Sequence, residues 1–276
     1  MPLISYRNNA AGRRKATIIR GDVSTQRPEH RLTISRRQRA GRNAQGRITV
    51  RHRGGGVPRL IRVVDFQRTR YDVPATVRAI EYDPNRNARL ALIEYPDGVR
   101  SYIIAPVGLE VGATVIASMT EASIRVGNRL PLEKLPIGIA VHAVEIQPGQ
   151  GGRIARGAGV SVQLMAIEGP HAQLRMPSGE VRLVPRQAAA TIGEVGNADA
   201  RLERIGSAGR NRRLGIRPSV RGKAMNPVDH PHGGGEGHNP IGLTRPKTPW
   251  GRPALGVRTR KPKKWSNVFI LQRRKK

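Results

Sequence analysis

The sequence predicts a mainly β protein: two small adjacent barrels flanked by long, irregular, basic N- and C-terminal extensions. Three observations carry that reading. Charge is segregated: residues 1–60 hold 15 basic and 2 acidic residues (net +13), residues 61–200 hold 15 and 14 (net +1), and residues 201–276 hold 20 and 3 (net +17). Residues 61–200 break into short apolar or alternating runs separated by turn signals, and none sustains a helical period beyond two turns. The two ends are rich in Gly, Pro and Arg, with too little apolar sequence to offset the entropy of ordering.

The N-terminal extension, 1–60, is broken by Gly, Pro and Asn, as in Arg36-Arg37-Gln38-Arg39-Ala40-Gly41-Arg42-Asn43. Alone it is expected to be mobile and to order on a polyanion; a disordered solubility tail is the bland alternative. A first β set spans 61–125: Ile61–Phe66, Thr76–Tyr82, Arg89–Tyr95, Val99–Ile104 and Thr114–Ala117. Pro96-Asp97-Gly98 marks a hairpin, since Pro presets φ and Gly accepts positive φ. Five strands in about 55 residues suit a small barrel of the oligonucleotide/oligosaccharide-binding kind. A second set over 126–200 follows Pro131 and Pro136: Ile139–Ile146, Val160–Ile167, Ala172–Met176, Val181–Val184 and Thr191–Val195. A single larger sandwich is the alternative arrangement. The C-terminal extension, 201–276, carries many Gly and Pro, the run Arg258-Thr259-Arg260-Lys261-Pro262-Lys263-Lys264, and isolated Trp250, Trp265 and Phe269.

A net charge of +31 over 276 residues opposes compaction unless a polyanion neutralises it, and nucleic acid is the commonest such partner. A merely basic, soluble enzyme is the competing class. With no cysteine there is neither a disulfide framework nor a thiolate metal site. No apolar run reaches the roughly 18 residues of a membrane span. Met1 to Thr17 lacks the apolar stretch of a secretory signal, though it shares arginine richness with transit peptides. Nine aromatic residues are too few for recognition by many base-on-ring stacks.

Three glycine-rich motifs sit among cations. Arg51-His52-Arg53-Gly54-Gly55-Gly56 places forked donors beside a bare backbone whose N–H groups could meet phosphate; a hinge is the alternative. It is no P-loop, because Val57-Pro58 follows instead of a helix start. Gly149 to Gly157 repeats the idea with Arg153 and Arg156, against a plain long turn. Asn226 to His238 holds three of the seven histidines and two carboxylates. A metal site, or a hydrolase pairing His230 as base with Asp229 as orienter, would need a rigid surround that a glycine loop does not promise. Contact with RNA phosphate fits better.

At this last loop the sequence resembles a known family. Met225 to Gly237 is similar to the signature of the second large-subunit ribosomal protein in its bacterial and organellar form. The resemblance extends to Gly41-Arg42-Asn43, Gly46-Arg47-Ile48-Thr49, Arg51 to Gly56, Glu81 to Arg86, Gly193 to Ala198 and Thr248-Pro249-Trp250-Gly251. It implies an oligonucleotide/oligosaccharide-type barrel followed by an SH3-like barrel, with arms buried in large-subunit rRNA. It also implies a non-enzymatic, primary rRNA binder that supports subunit association, tRNA placement and peptidyl transfer. His230 would lie near the peptidyl transferase centre. Two departures from the family stand out: Val57-Pro58 replaces His-Lys, removing two phosphate-seeking side chains, and His238 replaces an Arg, exchanging a permanent cation for a group mostly neutral at pH 7.

Composition and resemblance together imply RNA contacts from Arg42, Arg47, Arg51, His52, Arg53 and Gly54–Gly56 in the first extension and from Arg153 and Arg156 in the middle. In the last extension they imply contacts from Arg213, Arg217, Arg221, His230, His232, Gly233–Gly235, Arg258, Lys261, Lys263 and Lys264. The implied partners are large-subunit rRNA, small-subunit rRNA at an intersubunit bridge, and other ribosomal proteins, with no membrane and no homo-oligomer. No metal or cofactor is expected beyond rRNA-associated magnesium. The implied location is the cytoplasmic ribosome of a bacterium, with a plastid or mitochondrial ribosome as the alternative.

Overall fold

A computed structural model describes residues 3–6, 16–19, 21, 23–35 and 38–274. Most of the Met1 to Thr17 segment, and Arg36 and Arg37 of the arginine run, lie outside the described residues. The chain forms two compact units. One comprises Met1–Arg37, Pro58–Ser207 and Val268–Lys276; the other comprises Gln38–Val57 and Ala208–Asn267. The protein is mainly β.

In the first unit, β1 (Leu3–Ser5) pairs with β2 (Thr17–Ile19), and β3 (Thr33–Ser35) with β4 (Leu60–Arg62). Then β5 (Ala75–Glu81), β6 (Leu90–Glu94), β7 (Arg100–Ile104) and β8 (Thr114–Val115) form an antiparallel sheet in the order β7-β6-β5-β8. The turn expected at Pro96-Asp97-Gly98 closes β6 onto β7. The Gly98 N–H donates to the Tyr95 carbonyl at 2.9 Å, and Gly98 has φ +77°, which a side chain would resist. Alternation on β6 feeds two cores at once: Ala91 and Ile93 enter one cluster with Val77 and Val115, while Leu90 and Leu92 enter another with Tyr102 and Ile104. The register of β5 shifts between Val77 and Ala79, which sends Ala79 to the opposite cluster and leaves Arg78 outside. Burying Leu90 and Ile93 completely stabilises by about 1.5–3 kcal/mol each.

The remaining strands are β9 (Arg129–Pro131), β10 (Ala140–His142), β11 (Val162–Glu168), β12 (His171–Arg175), β13 (Val181–Pro185), β14 (Ala189–Ile192) and β15 (Ile270–Gln272). They make a seven-stranded, curled half-barrel sheet in the order β15-β13-β12-β11-β10-β14-β9. Leu130, Val141, Val144, Leu164 and Leu174 fill its core. The strand expected over Ile61–Phe66 is β4 (Leu60–Arg62), which pairs with β3, and three further details differ from the sequence expectation. The strand expected over Ile139–Ile146 stops at His142, because Ala143 turns to φ +46°. The strand expected over Thr191–Val195 is Ala189–Ile192, because Gly193 leaves the extended region at φ +103°. Proline at 131 does not precede the sheet but closes edge strand β9, where a missing N–H costs no ladder bond.

A buried ion pair sets the loop after β10. The Arg129 guanidinium donates to Glu145 at 2.7 Å, with both side chains under 5 % exposed. Glu145 also accepts the N–H groups of Gly149 (3.1 Å), Gly151 (2.9 Å) and Ala189 (3.1 Å). A side chain at Gly152 would stand 2.3 Å from the Ala143 carbonyl oxygen. Gly152 therefore serves packing, and the loop is fixed rather than free.

Candidate nucleic-acid interface

The second unit joins parts of both extensions. In its N-terminal part, Gly41 at φ +74° accepts the N–H groups of Thr49 (2.9 Å) and Val50 (3.0 Å). A β-carbon at Gly41 would lie 2.1 Å from the Val50 carbonyl oxygen. Asn43 Oδ1 accepts from Gln45 and Arg47, each at 3.0 Å, and Arg42 bridges Ile48. This folded turn meets the segment after helix α1 (Ala208–Arg213). The Gly54 N–H donates to Gly215 O (2.9 Å), Val57 N–H to Arg213 O (2.9 Å), and Arg217 N–H to His52 O (3.1 Å). His52 Nδ1 lies 3.0 Å from the Pro218 carbonyl; that oxygen can only accept, so the proton sits on Nδ1.

These bonds correct the physical reason for the triple glycine. The Gly54 N–H is used within the protein, and a β-carbon at Gly56 would stand 2.8 Å from Gly215 N. Close approach is to the chain's own backbone. The result is a cleft of about 480 Å³ lined by Ala40, Arg42, Ile48, Val50, Arg51, His52, Arg53, Gly54, Gly55 and Arg217. Seven expected RNA-contact residues converge there, and among the described residues no carboxylate lines it. Arg47 is exposed on the same turn.

The histidine loop is a knot rather than an open strap. His230 is 7 % exposed. The Asp229 N–H donates to Asn226 O (3.0 Å), Gly233 N–H to His230 O (2.8 Å) and Gly234 N–H to Met225 O (3.0 Å). The His232 N–H donates to His230 Nδ1 (3.0 Å), and the Lys247 N–H donates to His232 Nε2 (2.8 Å). Each ring thus accepts a backbone N–H at one nitrogen. Desolvation first, then neighbouring His230 and Lys247, push the His232 pKa down. His230 Nδ1 is taken by the His232 N–H, and among the described residues no hydrogen bond or ion pair joins the Asp229 carboxylate to the His230 ring. Again the glycines meet protein: a β-carbon at Gly233 would be 2.3 Å from Asn226 O, and Gly234 (φ +86°) packs on Pro227. Gly235 is exposed at φ +83°. Among the described residues no group of three or more His, Cys, Asp or Glu could hold a metal.

The other expected residues are placed separately. Arg213, Arg221, Arg258, Lys261, Lys263 and Lys264 are exposed on the second unit. Arg260, within the same run, is instead structural, donating to Asn267 Oδ1 (2.7 Å) and Ser266 Oγ (3.0 Å). In the first unit Arg153 and Arg156 are exposed on the fixed loop, Arg156 lying over Phe66 at 4.7 Å. Of the departures, Val57 is half exposed and His238 exposed. Ile48 (60 %) and Val50 (52 %), not among the expected contacts, are exposed on the second unit, as are Trp250 (75 %) and Trp265 (69 %) of the last extension.

A unit with 19 basic and 2 acidic residues, folded around an arginine-lined cleft, defines an RNA-binding protein of the kind held in ribonucleoprotein particles. The chain matches two family models, "Ribosomal Proteins L2, RNA binding N-terminal domain" over residues 29–117 and "Ribosomal Proteins L2, C-terminal domain" over residues 125–251. It belongs to the ribosomal protein L2 family and is a structural protein of the large ribosomal subunit, with rRNA and ribosomal proteins as partners.

Proposed function

We propose that this chain is a primary rRNA binder whose second unit is embedded among large-subunit rRNA helices. The carrying observation is the cleft, which gathers Arg42, Arg51, Arg53 and Arg217 with no carboxylate among its lining residues. Around it, Arg47, Arg213, Arg221, Arg258, Lys261, Lys263 and Lys264 neutralise phosphates, and Arg153 and Arg156 do so from the first unit. Residues 61–125 and 126–200 form the oligonucleotide/oligosaccharide-type and SH3-like barrels, between extensions 1–60 and 201–276. The bound chain supports subunit association through small-subunit rRNA at a bridge, and supports tRNA placement and peptidyl transfer. It acts as a single copy on a bacterial cytoplasmic ribosome, holds no cofactor, and meets magnesium only through rRNA.

His230 acts by position. Its Nδ1 is occupied by the His232 N–H, so the ring holds the loop together. In ribosomes carrying His230→Gln at normal protein content, single-turnover peptidyl transfer should fall far less than the ~10²–10⁴ that loss of a general base removes. Assembly into large subunits, followed by sedimentation, should suffer more. A loss of that size in the chemical step with assembly intact would assign His230 a catalytic role. Failure of the intact chain to co-sediment with large subunits would overturn the function itself.

A further inference from the structure

We infer that the arginine-lined cleft of the second unit seats one unstacked nucleotide of its RNA, and so reads an extruded base as well as neutralising phosphates. The inference rests on the rRNA-binding function proposed above and adds what the cleft selects.

The cleft is too large, and its floor wrong, for phosphate alone. Its volume of about 480 Å³ falls within the roughly 300–1,000 Å³ range of small-molecule sites. Ile48 and Val50 line it while remaining 60 % and 52 % exposed, and both stand in a turn fixed by the Gly41 carbonyl. Exposed β-branched apolar residues give a phosphate nothing, whereas the face of a base gains from covering them. Arg42, Arg51 and Arg217 supply forked donors that fit phosphate oxygens and planar faces that stack on bases. His52 adds a ring whose Nδ1–H is committed to Pro218, which fixes its orientation.

A flat duplex cannot reach such a seat with its base faces, because they are stacked inside the helix. A bulged or looped nucleotide can. The cleft therefore favours RNA in which one nucleotide is free to turn out, and the cost of unstacking is smallest at a bulge.

The test uses the full chain and two RNA hairpins of identical stem sequence, one fully paired and one carrying a single-nucleotide 2-aminopurine bulge. Affinity is measured by filter binding at fixed salt, and base environment by 2-aminopurine fluorescence. The wild type should bind the bulged hairpin about tenfold or more tighter than the paired one, a difference of ~1.4 kcal/mol, with a change in fluorescence. Ile48→Ser with Val50→Ser, both at exposed positions and without change of charge, should abolish that preference, weakening bulged-RNA binding about tenfold more than paired-RNA binding. Ile48→Leu with Val50→Ile, which keeps an apolar floor, should retain it. Equal wild-type affinity for the two hairpins, or a preference that survives the serine pair, overturns the nucleotide seat while leaving rRNA binding intact. Absence of binding to either RNA would instead count against the proposed function and the seat together.

Discussion

Arginine plays different parts in the two units. The first unit holds 31 basic and 17 acidic residues, and its ion pairs include Arg70–Asp97, Arg78–Glu94, Arg86–Asp83, Arg100–Glu29, Arg186–Glu133 and the buried Arg129–Glu145. In the second unit 19 cations face 2 carboxylates, so most of its charge has to be balanced by another molecule. Where acid accompanies base, the cation is spent on structure. Where it does not, the fold itself sets up a demand for polyanion. Close backbone approach at glycine is common to both units, at Gly152 in the first and at Gly41, Gly56 and Gly233 in the second.

The contrast can be broken most severely at its most structural point. Glu145→Ala would leave Arg129 buried without a counter-ion and strip three amides of their acceptor. Loss of about 3–5 kcal/mol is expected, read by urea unfolding followed in the far ultraviolet, where the β unit dominates. A loss under about 1 kcal/mol would mean that Arg129 relaxes into water.

His142 sharpens the same side of the comparison by pH. It is 1 % exposed, Nδ1 faces the Gly193 carbonyl at 2.8 Å, and burial, with Arg68 and Arg129 adding, lowers its pKa from 6.5 to about 4. The unfolded chain therefore binds a proton that the folded chain refuses between those values. Its contribution is fully present above pH 6.5 and is lost as pH falls through about 4, on the order of 3 kcal/mol in all. Imidazole resonances of His142 should stay in the neutral position down to about pH 4. Titration near 6.5 would contradict its burial.

A smaller effect is expected from Gly222→Ala in the second unit. The added carbon would stand 2.5 Å from the His230 ring. Displacing the ring should cost about 1–3 kcal/mol locally and expose the His232 amide, which now donates to His230, to faster hydrogen exchange. Unchanged exchange at that amide would show that the ring is not the loop's anchor.

Much of the first unit was legible because strands advertise themselves by alternation and turn chemistry. Val181–Pro185 and Arg100–Ile104 fall within a residue of their expected bounds for that reason. Bulges and positive-φ residues without glycine did not advertise themselves: nothing in the sequence marks Ala143 as a strand end. The site was legible as composition but not as geometry. Arg51 and Arg217 are separated by most of the chain, and backbone contacts such as Gly54–Gly215, Val57–Arg213 and Arg217–His52 bring them to one cleft. The glycines were recognised as points of close approach, but the approaching group was the chain's own backbone, which local sequence does not disclose.

The division of labour between the two sets of arginines is tested most directly by salt dependence in two variants that each lose four charges. One replaces Arg42, Arg51, Arg53 and Arg217 of the cleft by Gln; the other replaces Arg70, Arg78, Arg100 and Arg186, which pair with carboxylates. Affinity of each full-length chain for large-subunit rRNA is measured across salt concentrations. For the cleft variant the slope of log affinity against log salt should become shallower by about 3–4, one phosphate contact per lost arginine, whereas for the paired variant it should change by less than about 1. Equal loss of slope in the two variants would contradict the account, since it would mean that compensated and uncompensated arginines meet the RNA alike.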